Sequence, residues 1–476
     1  MTYQDAIALL NSLTNYERIH RPQAMREMRL ERMRRLCERL GNPQTRFRSI
    51  LVAGTNGKGS ICAMIYEILR QAGLRVGLYT SPHLEDVRER IRVNLATGEG
   101  SDWISEEEFV SCIERLQPCL EEFNPEASEG SPTYFEVLTA AACWHFFQRG
   151  VDVAVLEVGL GGRLDATNVV EQTVAVLGPI GLDHTDVLGD DLVAVTREKA
   201  GIIKPKGLVI SAAQQSVVSV LLRDLVAEQE CRLLEYGRHV FADVLAHDPT
   251  GLRASIRGTR GQYEQAYLPL LGRHQAENAA VAVAAVEALA EEGIPHSAVH
   301  SGLAQVRWPG RLEIIRPACL DACPPRGEQG RRERGAGRER PTVLLDGAHN
   351  PDAAHALRKT VEELWPGRTV HLVFGMSADK PVRTIGEILC PMASRVTCTK
   401  SRHPRACDPQ RLAEQLGPLC REVIVIPDAV DAYTYVLNTA DPDDLIVITG
   451  SLFLVGELRP QLLQNNRLGM ITQIQR

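Results

Sequence analysis

The sequence predicts an α/β protein: an N-terminal P-loop ATPase domain with a mostly parallel sheet and a small antiparallel patch, then a C-terminal Rossmann-like α/β domain. Three observations carry this. Short apolar runs alternate with helical stretches from Ser49 onward. The run over 49–53 ends in the turn Gly54-Thr55-Asn56-Gly57-Lys58-Gly59-Ser60, with a helical pattern over 60–71 behind it. A second alternating set starts at Thr342.

Taken in order, residues 22–40 carry Met25, Met28 and Leu36 at helical spacing among many arginines. Glutamates interleave with those arginines, which favours a surface helix packing its Met/Leu stripe over a nucleic-acid-binding arm. Residues 75–80 read as a strand, 134–149 as a helix, and 151–158, 173–177 and 207–211 as further strands. The stretch 231–271 alternates more and holds turn residues, so it is expected to form the antiparallel patch. An alanine-rich helix is expected over 274–292. Residues 317–341 are rich in Arg, Gly, Glu and Pro and too poor in apolar side chains to order themselves, so a mobile insertion is expected there. Strands follow at 343–345, 370–374, 395–398, 422–426 and 445–449. The domains are expected to span 1–306 and 307–476, with the boundary within 306–311.

Composition narrows the function. The chain has 476 residues, a length that suggests two or three domains, and its net charge of −7 argues against a general nucleic-acid binder. No apolar run reaches membrane-spanning length and the start lacks a signal-peptide core, so no membrane partner and a cytoplasmic location are expected. Twelve cysteines without a paired framework fit reduced thiols, and Cys319 and Cys323 read as loop thiols.

The chemistry concentrates at strand ends. The turn after the first strand offers backbone N–H groups at a helix start, where polyphosphate is best held. Lys58 neutralises charge there, and Ser60 is placed to reach a magnesium ion. The strict P-loop pattern is not met: Val52 stands where its first glycine belongs, and Gly59 separates lysine from hydroxyl. Glu157 closes an apolar strand, where ligands bind in open α/β sheets, and a hard carboxylate there suits Mg²⁺. His184, within Gly181-Leu182-Asp183-His184-Thr185-Asp186, follows another apolar strand and is expected to reach the same crevice. Composition alone makes Lys199 an ordinary surface lysine. In the second domain, Asp346 and His349 lie in the polar turn Asp346-Gly347-Ala348-His349-Asn350-Pro351, expected to face the first domain across a cleft. Arg311, in Trp308-Pro309-Gly310-Arg311 at the hinge, matches the charge of a triphosphate; an interdomain salt bridge is the alternative.

Together these segments resemble the Mur ligase superfamily, and more narrowly the folylpolyglutamate synthase/dihydrofolate synthase family. The motifs are the turn at 54–60, Thr80-Ser81-Pro82-His83-Leu84, Glu89-Arg90-Ile91-Arg92, Thr133-Tyr134-Phe135-Glu136, residues 157–168, 181–185 and 198–205, Gly272-Arg273-His274-Gln275 with Asn278, residues 308–311 and 345–351, and Thr449-Gly450-Ser451. Their order and spacing run from about residue 2 to residue 458, and the extra Gly59 is usual in this family. The resemblance implies an ATP-dependent amide ligase that joins L-glutamate to dihydropteroate, to reduced folates, or to both. Gly54, Thr55, Asn56, Gly57, Lys58, Gly59 and Ser60 would hold ATP, with Asn278, Arg311 and Asp346. Ser81, Glu157, His184 and Lys199 would hold magnesium, Lys199 as the lysine that CO₂ carboxylates in this family. Thr133, Tyr134, Phe135 and Glu136, with Leu164, Asp165 and Ala166, would line the pterin site. Lys58, Lys199 and His349 carry the implied catalytic roles, His349 near the incoming glutamate. The partners are these small molecules, and a monomer is expected.

Two departures stand out. The insertion between Arg311 and Asp346 is long for the family and separates two residues assigned to one nucleotide, so it must loop out. Gly178-Pro179-Ile180 replaces a serine-containing version. Rival readings are a Mur-type ligase acting on a cell-wall precursor, a non-catalytic P-loop regulatory module and a small-molecule P-loop kinase. The pterin segments disfavour the first, and a second metal-binding set disfavours a mere switch.

Overall fold

The computed structural model describes residues 1–19, 28–94, 102–123, 130–289, 293–316 and 340–474. It divides at one peptide bond into two units, Met1–Trp308 and Pro309–Arg476. The first holds a seven-stranded sheet of β1 (Arg48–Ala53), β2 (Val76–Tyr79), β3 (Ile91–Val93), β4 (Val153–Glu157), β5 (Val174–Leu177), β6 (Leu208–Ser211) and β7 (Arg232–Glu235), in the order β3-β2-β4-β1-β5-β6-β7. All neighbours are parallel except β2 and β3. The central strands are buried throughout, as parallel strands covered on both faces must be. β1 lies between β4 and β5, so the chain order reverses there and the carboxyl ends of β2, β4, β1 and β5 gather at one edge. In such sheets this edge is the ligand-binding one.

A separate antiparallel sheet holds β8 (Phe241–Asp248), β9 (Gly251–Arg257) and β10 (Gln262–Leu268). The antiparallel patch is therefore shorter than 231–271. Residues 232–235 of that stretch form β7, which pairs parallel with β6 from Leu208↔Arg232 to Ser211↔Glu235. The misreading has a physical cause: β7 is a sheet edge with one exposed end, so its apolar run is broken like that of an antiparallel strand. The helix within 22–40 runs Leu30–Arg39; residues 20–27 lie outside the described residues. Met33, Leu36 and Cys37 are buried on its inner face, and so is Arg32. The alanine-rich helix runs His274–Leu289 and is buried almost all round.

The second unit holds β11 (Glu313–Ile315), β12 (Thr342–Leu345), β13 (Val370–Phe374), β14 (Arg395–Lys400), β15 (Val423–Asp428) and β16 (Leu445–Thr449), in the order β11-β12-β16-β13-β14-β15. Only β11 is antiparallel, and it pairs with β12 from Glu313↔Leu345 to Ile315↔Val343. That pairing closes the base of the expected insertion. Most of the insertion, 317–339, lies outside the described residues, as do Cys319 and Cys323. The ten described cysteines carry free thiols, and no described helix is long and apolar enough to cross a membrane.

Candidate active site

The turn after β1 is shaped to wrap an anion. Gly54 and Gly57 take φ of 151° and 77°, a region that L side chains avoid. Helix Lys58–Gln71 begins two residues earlier than expected, with Gly57 as its N-cap. Thr55 pins the turn to the loop after β5: its Oγ1 donates to Gly181 O (2.8 Å), while Thr55 N and Asn56 N donate to Pro179 O. The backbone at Gly178 abuts Gly54, where a Cβ would sit 3.0 Å from its Cα. Residues 55–59 stay partly exposed while Ser60 is buried. Asn278 and Gln275, both buried on helix His274–Leu289, support the turn. A Cβ at Gly57 would meet Asn278 Oδ1 at 2.8 Å, Asn278 Nδ2 donates to Gln275 Oε1 (3.0 Å), and Gln275 Nε2 donates to Ser60 Oγ (3.4 Å).

Lys199 is not a surface lysine. It lies near the end of helix Leu192–Ala200, is 6% exposed, and donates from Nζ to Gly54 O at 2.8 Å. The loop after β4 reaches it because Gly162 has no side chain: a Cβ there would sit 2.7 Å from Lys199 O. Burial, reinforced by the Lys58 cation, pulls the Lys199 amine down to about 7, against the opposing pull of Asp183 and Asp165. Glu157 is buried at the end of β4, and its Oε2 accepts from Ser81 N (3.1 Å), joining the ends of β4 and β2. His184 has a left-handed backbone, a half-exposed side chain, and Asp183 Oδ2 at 4.0 Å. Among the described residues, no three His, Cys, Asp or Glu side chains converge closely enough to hold a metal ion.

The two segments assigned to a pterin adjoin: a Cβ at Gly159 would sit 2.7 Å from Phe135 Cζ. Their carboxylates are engaged locally. Thr133 and Glu136 form a capping box on helix Tyr134–Gln148, and Glu136 also takes Arg32 Nε at 2.8 Å in a buried ion pair. Asp165 is buried and accepts from Leu160 N (2.9 Å) and Thr167 N (3.0 Å); burial raises its carboxyl, and those donors counter it. Leu164 is half-buried and Ala166 buried beside it. Sequence reasoning gave no role to Arg32 or to Arg90, which is 1% exposed. Arg90 pairs with Glu17 (Nη1 to Oε1, 2.7 Å), donates to His83 Nδ1 (2.9 Å) and lies over the Tyr134 ring. Glu89-Arg90-Ile91-Arg92 and Thr133-Tyr134-Phe135-Glu136 are adjacent in space, a proximity that neither motif signals alone.

In the second unit, the β11–β12 pairing brings Arg311 and Asp346 back together. Asp346 is buried; its Oδ2 accepts from Leu312 N and its Oδ1 from Ala348 N, both at 2.9 Å. Burial raises its carboxyl, opposed first by the Arg311 guanidinium. A Cβ at Gly347 would lie 2.9 Å from Arg311 Nη1, and His349 Nδ1 lies 2.7 Å from Gly347 O.

Known proteins resemble this chain over most of its length. Residues 52–286 match the Mur ligase middle domain, and residues 330–452 match the Mur ligase glutamate ligase domain. The chain is 32% identical to dihydrofolate synthase/folylpolyglutamate synthase of Bacillus subtilis, over 91% of this chain and 94% of that one. It is 35% identical to a probable bifunctional folylpolyglutamate synthase/dihydropteroate synthase of Haloferax volcanii, covering 90% of this chain and 48% of that protein, so it spans about half that relative's length. The solved structure of Mycobacterium tuberculosis folylpolyglutamate synthase complexed with ADP matches with a TM-score of 0.83 and 33% identity, over 97% of this chain and 98% of that one. The chain therefore belongs to the folylpolyglutamate synthase/dihydrofolate synthase family of the Mur ligase superfamily.

Proposed function

We propose that this protein is an ATP-dependent ligase that forms an amide bond between L-glutamate and dihydropteroate, a (tetrahydro)folate polyglutamate, or both. The observation that carries the site assignment is the phosphate turn with buried Lys199 hydrogen-bonded to its first glycine. A carboxylate and an amine do not condense in water, because the carboxylate has no leaving group. ATP supplies one: a carboxylate oxygen attacks the γ-phosphorus, ADP leaves, and an acyl phosphate forms. The glutamate amine then attacks the carbonyl carbon, the C–O bond to phosphate breaks, and the amine gives up a proton.

Phosphoryl transfer depends chiefly on positioning and charge neutralisation. The backbone of residues 54–60 and Lys58 are assigned to the phosphates, with Asn278 holding the turn. Arg311 and Asp346 are assigned to nucleotide contact and His349 to the incoming glutamate. Ser81, Glu157 and His184 offer oxygen and nitrogen donors that suit Mg²⁺, but an ammonium at Lys199 is no ligand. An amine brought down to about 7 is substantially neutral at physiological pH and can add CO₂. The resulting carbamate adds anionic oxygens beside the single carboxylate of Glu157, which is the role a carboxylated Lys199 would fill. When bound, magnesium neutralises phosphate charge. Phe135 and Leu164, both partly exposed, offer aromatic and apolar surface suited to a flat heteroaromatic ring, and buried Tyr134 and Ala166, with Thr133, Glu136 and Asp165, shape the segments that carry it.

ADP release by the purified protein is expected to require glutamate together with dihydropteroate or tetrahydrofolate. Comparing the two acceptors separates the synthase from the polyglutamylating activity. ADP release indifferent to both substrates rejects the ligase reading.

A further inference from the structure

Gly59 breaks the P-loop pattern, and the phosphate turn's own backbone does not demand it. Unlike Gly54 and Gly57, Gly59 has no positive φ; it sits in the first turn of helix Lys58–Gln71, where any L residue fits. What excludes a side chain is Trp308. A Cβ at Gly59 would have its three nearest neighbours all in that indole: Cζ2 at 2.6 Å, Cε2 at 2.9 Å and Nε1 at 2.9 Å. The indole is held in turn. The Arg92 guanidinium lies 5.6 Å from its ring centre and 5.9 Å from that of Trp103, and Arg92 Nε donates to Glu89 O (3.2 Å). Trp308 is also the last residue of the first unit, three positions before Arg311.

We propose that Trp308 is a positioning residue for nucleotide binding: its indole, seated on Gly59 and braced by Arg92, fixes the first turn of the phosphate-binding helix, and Gly59 exists to admit it. The physical reason is the shape of the contact. A rigid two-torsion ring, wedged between a guanidinium and a backbone with no Cβ, restrains the N–H groups of that turn at little entropic cost. The same ring ties the start of the segment leading to Arg311 to the loop that ATP fills. This rests on the nucleotide-site reading given above.

The test is a double-mutant cycle on Gly59→Ala and Trp308→Ala, with Trp308→Phe as the conservative control. The probe is the non-hydrolysable analogue AMPPCP with Mg²⁺, followed by calorimetry. Each alanine variant is expected to bind about tenfold more weakly, a loss typical of residues in contact, and the double variant no more weakly than either single one. Trp308→Phe is expected to recover most of the affinity. AMPPCP is expected to change tryptophan fluorescence in the wild type and to leave it unchanged in Trp308→Phe. If the losses add, or Trp308→Ala binds like the wild type, the positioning role is overturned. A wild type that binds AMPPCP yet fails to ligate glutamate rejects the ligase reading and leaves this inference standing. A wild type that binds no AMPPCP rejects the nucleotide site and this inference with it.

Discussion

Removing Arg32 alone should destabilise the first unit severely, and removing Arg32 and Glu136 together should not. Both side chains are buried, at 6% and 8% exposure, and Arg32 Nε reaches both oxygens of Glu136, at 3.1 and 2.8 Å. Arg32→Met leaves a carboxylate buried without its counter-charge, which costs about 3–5 kcal/mol. At roughly 2–4 °C per kcal/mol for a large domain, the melting temperature should fall by about 6–20 °C. Glu136→Leu strands the guanidinium and also removes the acceptor of Thr133 N (2.7 Å), so its loss should be at least as large. The double variant buries no charge; what remains is the lost half of the capping box, about 1 kcal/mol. Thermal scans of the four proteins at pH 7.5, read beside KM for dihydropteroate, decide the matter. A shift under about 2 °C for Arg32→Met, or single losses that add in the double variant, would refute the argument. A Glu136→Gln variant with unchanged melting but a raised KM would make that carboxylate a substrate ligand instead.

Two further outcomes follow from buried bases. Lys199→Ala should abolish glutamate-dependent ADP release, and acetate or formate should partly restore it by filling the vacated anionic position; full activity in the untreated variant rejects the carbamate. His145 is 4% exposed, and burial, aided by the Arg149 cation against Glu108, takes its imidazole down to about 4. The unfolded chain then binds a proton between about pH 6.5 and 4 that the folded chain refuses. Acidification through that window should cost about 3 kcal/mol, and His145→Leu should flatten the dependence of the urea midpoint on pH between 7 and 5.

The parts of the fold that the sequence makes legible are those that local chemistry dictates. A buried parallel strand reads as a continuous apolar run, so β1, β4, β5 and β16 are visible, and the glycines of the phosphate turn announce the helix behind it. The three-residue strands β3 and β11 carry no periodicity of their own and exist only because β2 and β12 offer an edge. β11 matters most among these, because without it the spacing between Arg311 and Asp346 looks like an objection. Lys199 shows the opposite limit. Its helix is readable, but nothing local tells that Gly162 lets a loop close over it and makes a surface-type residue a buried base. Arg32 and Glu136 stand 104 positions apart, and no short motif links them.

The fate of the carboxylates bears on substrate class. A cleft built for a nucleotide-linked precursor needs cations or free donors to meet its phosphates. In the segments assigned to the acceptor substrate, the charged groups are already spent inside the protein: Glu136 on Arg32 and the helix cap, Asp165 on the N–H groups of Leu160 and Thr167, and Arg90 on Glu17 and His83. Self-satisfied charges hold the backbone while leaving little field to attract a polyanion. What these segments add is the partly exposed ring of Phe135 against the backbone of Gly159 and the aliphatic surface of Leu164, backed by the buried Tyr134 ring beneath Arg90 and by buried Ala166. Such a surface discriminates by shape and stacking, which suits an uncharged bicyclic ring better than a sugar diphosphate. The charges assigned to the chemistry lie apart from these segments: Glu157 closes β4, and Lys199 reaches Gly54 O in the turn after β1, the turn proposed to hold ATP.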